Sequence, residues 1–333
     1  MTSDLVDRFR RQHSDLRVSL TDRCSLRCTY CMPEFGMTWL RAADTLTVSE
    51  LLEIVTVFVE LGIRTVRLTG GEPLLRPDLA EIVGRFSSLT TPDGDSIHVA
   101  MTTNAIGLEK VIDDLVESGL SRLNISLDTL RPDRFFELTK RDRWDDVIRG
   151  ISAAHEANLR PLKLNAVAMR GVNEDELVDL VRFSETVDAE VRFIEHMPLD
   201  RAHTWSRENL LTRDEIIDIL SQEMVLSPVG ERGPNPAERW YVDGGPRTVG
   251  VIASVTAAFC GSCDRLRLTS DGQMRTCLFS QEEGDLRTLV RAGASRAELR
   301  EAVRAHVLTK RAGNGIGEPD FVQPVRGMNA IGG

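Results

Sequence analysis

Thr21-Asp22-Arg23-Cys24-Ser25-Leu26-Arg27-Cys28-Thr29-Tyr30-Cys31-Met32-Pro33 sets three thiols within eight residues, at the spacing C-x3-C-x2-C. Three thiolates suit a cubane of four irons in which one iron stays open to something that is not protein. A closed structural zinc site wants a fourth ligand, usually from a pair of C-x2-C motifs. No His or Cys follows nearby, and His13 lies on the wrong side of the intervening strand. Leu16-Arg17-Val18-Ser19-Leu20 alternates as a β-strand, so the cysteines sit on the loop at its carboxyl end, where α/β barrels place their chemistry.

Outward from that loop, strand and helix signals alternate. Thr47-Val48-Ser49-Glu50 is a capping box opening a helix over 48–61, ended by Gly62. Strands are predicted at 64–69, 97–102, 122–127, 162–167 and 190–195, with helices at 79–87, 108–118, 132–138, 145–157 and 174–187. Helices between successive strands call for a parallel sheet with right-handed crossovers. Six such units fall short of the eight that close a barrel. The expected fold is therefore α/β: an incomplete (β/α)6 TIM-like barrel over 1–200, laterally open, with a carboxyl-terminal extension over 201–333.

The extension is expected to hold a second cluster. Of six cysteines, the other three are Cys260, Cys263 and Cys277, spaced C-x2-C-x13-C. No signal-peptide core precedes them, so disulfides are a poor reading and a cytoplasmic location the better one. A zinc ribbon lacking its fourth ligand is the bland alternative. Two open-cornered cubanes facing each other across a barrel mouth would let one generate a radical and the other hold a substrate. A net charge of −10 argues against a nucleic-acid binder or a protein held on anionic membrane, and no apolar run is long enough to span a bilayer.

Basic residues within the predicted strands point to the ligand. Arg17, Arg67, Lys163 and Arg192 each fall in a different one. A cation in a central parallel strand is costly unless it meets an anion. One could be paired to a nearby acid; four converging on one cavity suggest a polyanion such as a triphosphate. Asn124, Ser126 and Asp128 share a face by the period of two, which reads as a wet cavity. Arg265 and Arg267 alternate likewise beside the second cysteine group.

The cluster loop, the aromatic Tyr30 before its last cysteine, and Gly70-Gly71-Glu72-Pro73 after the second strand resemble the radical S-adenosylmethionine (SAM) superfamily. The Phe-Cys-Gly-Ser-Cys-Asp-Arg-Leu-Arg block and the Gly332-Gly333 end narrow the likeness to its molybdenum-cofactor branch, which acts on GTP. That resemblance implies two [4Fe–4S] clusters, on Cys24, Cys28 and Cys31 and on Cys260, Cys263 and Cys277. It assigns Tyr30, Gly71, Ser126 and Met197 to SAM. Arg17, Arg67, Thr102, Lys163, Arg265, Leu266 and Arg267 go to GTP, with Arg192 nearby and the Gly332-Gly333 tail reaching the active site. It further implies an external one-electron donor of flavodoxin or ferredoxin type and a functional link to cyclic pyranopterin monophosphate synthase, and is compatible with a homodimer. Ala105 stands where the family more usually has Gly, which bears on the local turn. A peptide-maturing radical enzyme is the nearest rival, though such extensions usually carry six or more cysteines; a non-catalytic iron–sulfur scaffold or zinc-binding regulator is the rival from another class.

Overall fold

The computed structural model describes residues 5–200 and 205–332. Gly333, assigned to the active site by resemblance, lies outside them. Among the described residues no helix is long and apolar enough to cross a membrane.

The first six strands are β1 (Asp15–Ser19), β2 (Thr65–Thr69), β3 (His98–Thr103), β4 (Leu120–Ser126), β5 (Leu162–Ala168) and β6 (Ala189–Glu195). They pair in sequence order and in parallel. Between them run α1 (Val48–Glu60), α2 (Leu79–Ser87), α3 (Ile112–Glu117), α4 (Pro132–Thr139), α5 (Trp144–Glu156) and α6 (Leu177–Thr186). Thr47 and Glu50 form the reciprocal cap of α1, and Gly62 beyond it takes φ +105°. The helix predicted over 108–118 is broken: a 3-10 turn over Leu108–Lys110 precedes α3.

The extension joins this sheet instead of standing apart. Its elements are α7 (Arg213–Ser221), β7 (Leu226–Pro228), β8 (Glu238–Val242), β9 (Thr248–Ile252), β10 (Arg265–Leu268), β11 (Gln273–Arg275), β12 (Gly284–Asp285), α8 (Leu286–Arg291), α9 (Arg296–Val307) and α10 (Met328–Ile331). Strand β9 adds parallel to β6 and β10 parallel to β1, so each end of the six-stranded run is extended by one parallel strand. Antiparallel β8 and β7 finish one end, β11 and β12 the other. The sheet stays open.

Alternation within the strands decides what faces the helices. Leu16, Val18, Val66, Leu68, Leu266 and Leu268 are fully buried in the main core. Their neighbours Arg17, Arg67 and Arg267 therefore point the other way, into the barrel. Glu195, buried at the end of β6, accepts from the amides of Arg213 at 2.8 Å, Val255 at 2.8 Å and Thr256 at 2.9 Å. One carboxylate thus fastens α7 and the loop after β9 to the barrel rim.

Candidate active site

Parallel register converts the strand cations into a row. Arg17 pairs across β1–β2 with Arg67 and across β1–β10 with Arg267, so three guanidiniums stand at one level on adjacent strands. One level down, Asp15 pairs with Arg265 and Thr65. On the far wall Asn124 pairs with Lys163, and Asn165 with Arg192. A cavity of about 360 Å³ opens between these walls, lined by all of these residues together with Thr102, Arg122 and Met197.

The cations there are underpaired. Arg17, Arg67, Arg122 and Lys163 make no ion pair with a carboxylate among the described residues, while Arg192 is held by Glu190 at 2.6 Å. Arg17 Nε and Arg67 Nη1 are buried with no hydrogen-bond partner, as is Asn165 Oδ1. Burial, and then Arg192, bring the Lys163 ammonium down to about 7; burial, and then Arg265, bring Arg267 down to about 10. Such crowding is unfavourable in the empty fold and is relieved by a polyanion.

Cys260, Cys263 and Cys277 line the same cavity. All are free thiols, close enough for Cys277 and Cys263 to act on the charge of Cys260. Burial would raise the Cys263 thiol, but Arg265 and Lys310 outweigh it and bring it to about 7. Arg265 also lies over the Phe259 ring, 4.1 Å from its centroid.

The first cysteine group sits elsewhere. Its loop leaves the carboxyl end of β1, whereas Cys263 precedes β10, whose first residue is level with the first of β1. The two trios therefore lie toward opposite ends of the barrel interior, and the expectation that they face each other across one mouth is corrected. That error came from the pairing of β10 beside β1, a contact some 250 residues apart in sequence that no local pattern announces. None of Cys24, Cys28 and Cys31 lines the cavity. Burial pushes Cys24 up to about 11 and Cys31 to about 12, and Cys28 upward as well.

Around that loop, side chains and backbone tie it to the neighbouring strands. Tyr30 Oη donates to Asp128 Oδ2 at 2.6 Å, and Asp128 Oδ1 accepts from Val167 N at 2.8 Å, tying the loop to β4 and β5. Gly71 packs so closely that a Cβ would lie 2.1 Å from the Arg23 carbonyl oxygen. Glu72, fully enclosed and raised by burial to about 7, accepts from Leu74 N, Thr103 Oγ1 and Asn104 N. Ala105 takes φ +64°, the left-handed turn in which Gly is the usual residue. Ser126 is half-buried at the end of β4 and does not line the cavity.

The tail lies between the two ends. Ile331 O accepts from Arg267 Nη1 at 3.3 Å, Asn329 Nδ2 donates to Asp22 O at 2.9 Å, and Met328 lines the cavity. A Cβ on Gly332 would lie 2.8 Å from Ser19 Oγ. The side chain of Leu266 is in the core on the other face, so only its backbone is available to a ligand. Arg122 was missed from sequence, although it lies two residues before Asn124 on the face already read as wet; Asn165 stands likewise two beyond Lys163.

Comparisons with known proteins decide the family. Residues 18–184 match the radical SAM superfamily and residues 189–316 match Molybdenum Cofactor Synthesis C. The GTP 3′,8-cyclase of Streptomyces coelicolor is 52% identical, with 99% of this chain and 96% of that one covered. That of Mycolicibacterium smegmatis is 48% identical over 99% and 92%. The chain belongs to the GTP 3′,8-cyclases. Among solved structures, SuiB of Streptococcus suis bound to S-adenosylmethionine matches with TM-score 0.61 at 15% identity, over 89% of this chain and 68% of that one. Bound to its precursor peptide, SuiB matches with TM-score 0.64 at 14% identity, over 90% and 68%. These likenesses show the fold.

Cyclases of this family use SAM and two [4Fe–4S] clusters, and the residues fit them. Each trio offers three free thiols and no fourth Cys, and no group of three His, Cys, Asp or Glu among the described residues is gathered tightly enough for a single ion. Thiolates on separate corners of a cubane stand wider than ligands on one ion, and three of them leave the fourth iron open.

Proposed function

We propose that the cavity binds GTP with its triphosphate on the cation row and its guanine toward Cys260, Cys263 and Cys277. As a GTP 3′,8-cyclase the enzyme serves molybdenum cofactor biosynthesis. The observation that carries the assignment is the level set of Arg267, Arg17 and Arg67, without carboxylate partners and with buried N–H groups to spare. Arg guanidiniums are suited to phosphate oxygens, and Lys163 adds a point charge from the opposite wall.

Cys24, Cys28 and Cys31 would hold the first cluster, with SAM against Gly71, Tyr30, Ser126 and Met197; Cys260, Cys263 and Cys277 would hold the second. When bound, SAM and the first cluster supply a carbon radical able to take a hydrogen atom from ribose. What the chain itself does is position and enclose. Arg17, Arg67, Arg267, Lys163 and Arg192 fix the triphosphate, Thr102 and Asn124 face the sugar region, and Arg265 flanks the guanine end. The tail, held where Arg267 donates to Ile331 O, would close over the space between the two ends.

The atoms balance as an isomerisation of GTP: the hydrogen atom of C3′ would pass to the SAM-derived radical and leave as 5′-deoxyadenosine, a C3′–C8 bond forms as the C8=N7 double bond opens, and one electron with one proton at N7 completes the product, a second electron being consumed in forming the radical. The product, (8S)-3′,8-cyclo-7,8-dihydro-GTP, has the composition of GTP. A one-electron donor outside the chain is required, of flavodoxin or ferredoxin type, and thiolate-held clusters suit a reducing cytoplasm. Anaerobic incubation with SAM, a reductant and GTP tests the reading. A nucleotide of unchanged mass and new retention should form together with 5′-deoxyadenosine; 5′-deoxyadenosine without such a nucleotide would refute it.

A further inference from the structure

Lys310 lies just beyond α9, in no motif and off the wall of the cavity described above, yet is 3% exposed. Its Nζ reaches three acceptors: Arg265 O at 2.7 Å, Thr276 O at 2.8 Å and Cys263 Sγ at 3.7 Å. An ammonium has three N–H donors and no acceptor, so this set uses all of them. Among the described residues it makes no ion pair with a carboxylate. Thr276 adjoins Cys277 and Arg265 follows Cys263 by two, so the side chain braces the backbone at two of the three cysteines while touching the sulfur of one. Arg265 Nη2 approaches the same sulfur at 3.8 Å from the cavity side. Arg11 grips a third point, donating to Cys260 O at 2.7 Å.

A buried ammonium without a carboxylate is costly unless another anion stands beside it. The anion offered here is the cysteine group itself. The first trio is differently surrounded: Glu72 and Asp128 lie near Cys24 and Cys28.

We infer that Lys310 is a positioning residue of the second cluster, its fixed positive charge neutralising the Cys263 thiolate and favouring the reduced cluster. A reduced cluster carries one more negative charge than the oxidised one, so a nearby cation raises its reduction potential, and hydrogen bonds to the ligating sulfurs act in the same sense. This inference rests on Cys260, Cys263 and Cys277 being cluster ligands. About eight irons per wild-type chain, with two separable reduction steps, tests that reading on its own.

The test is an anaerobic potentiometric titration of the holoenzyme, followed by electron paramagnetic resonance, for wild type, Lys310→Gln and Lys310→Arg. The Gln variant keeps a donor for the carbonyls and loses the charge; the Arg variant keeps the charge. Lys310→Gln is expected to move one midpoint to more negative potential and leave the other in place, with Lys310→Arg near wild type. Should Lys310→Gln instead fail to retain the second cluster, falling to about four irons, recovery in Lys310→Arg supports the same charge requirement. An unmoved midpoint in Lys310→Gln, or equal cluster loss in both variants, overturns it.

Discussion

Arg17 and Arg267 are register partners on the parallel pair β1–β10, two guanidiniums at one level, Arg267 buried and Arg17 half-buried with its Nε enclosed, and no carboxylate paired to either among the described residues. Burial first, and each other's charge next for Arg17, push its pKa well down. The fold carries this repulsion; Asp15 offsets part of it for Arg17, and an anion in the cavity would offset more.

Replacing Arg17 should therefore separate stability from binding. Arg17→Met is expected to leave the fold as stable or more so, by about 1 kcal/mol, because an uncompensated buried charge gives way to an apolar chain of similar reach. GTP binding should weaken by about 2 kcal/mol, some thirtyfold, for a lost charge-assisted contact. Thermal unfolding and calorimetry measure the two; a destabilised variant with unchanged GTP affinity would contradict the account.

Lys163 gives the site a pH dependence. Its pKa in the empty cavity is about 7, lowered by burial and then by Arg192. Bound phosphates favour the charged form and raise that value, so between pH 7.5 and 9 GTP binding takes up a proton and affinity falls as pH rises, by up to about tenfold per unit. Calorimetry in two buffers of different ionisation heat reads the uptake directly. Lys163→Met should abolish it.

Gly71 is fixed by space. A Cβ there would meet the Arg23 carbonyl oxygen at 2.1 Å, and the atoms around it, from Arg23 and Asp22, are backbone. Gly71→Ala should displace the cluster loop at a cost of about 1–3 kcal/mol, with SAM binding weakened far more than GTP binding. Equal affinities for SAM in the two proteins would exclude this role.

Much of this was legible beforehand. The parallel order of β1–β6 followed from six strand–helix alternations, and the cavity cations from the cost of a charge inside a parallel strand. Both are local signals. Lys310 left no trace in sequence, since a lone lysine after a helix reads as solvated until α9 is seen folding it against β10 and β11. The tail's grip on Arg267 is of the same long-range kind.

The tail should matter to turnover alone. Gly332 has φ +74° and its Cβ position lies 2.8 Å from Ser19 Oγ. Gly332→Ala should lower kcat by about tenfold or more through misplacement at the site while iron content stays at the wild-type level. Iron loss in parallel with activity would make the tail a structural support instead.

The central claim is that GTP and the second cysteine trio share one cavity. The electron paramagnetic resonance spectrum of the reduced holoenzyme, recorded with and without GTP, tests it most directly. The account predicts that GTP alters the second cluster's signal, and that Arg17→Met requires proportionally more GTP for the same change. A signal unchanged at GTP concentrations that saturate binding would contradict it.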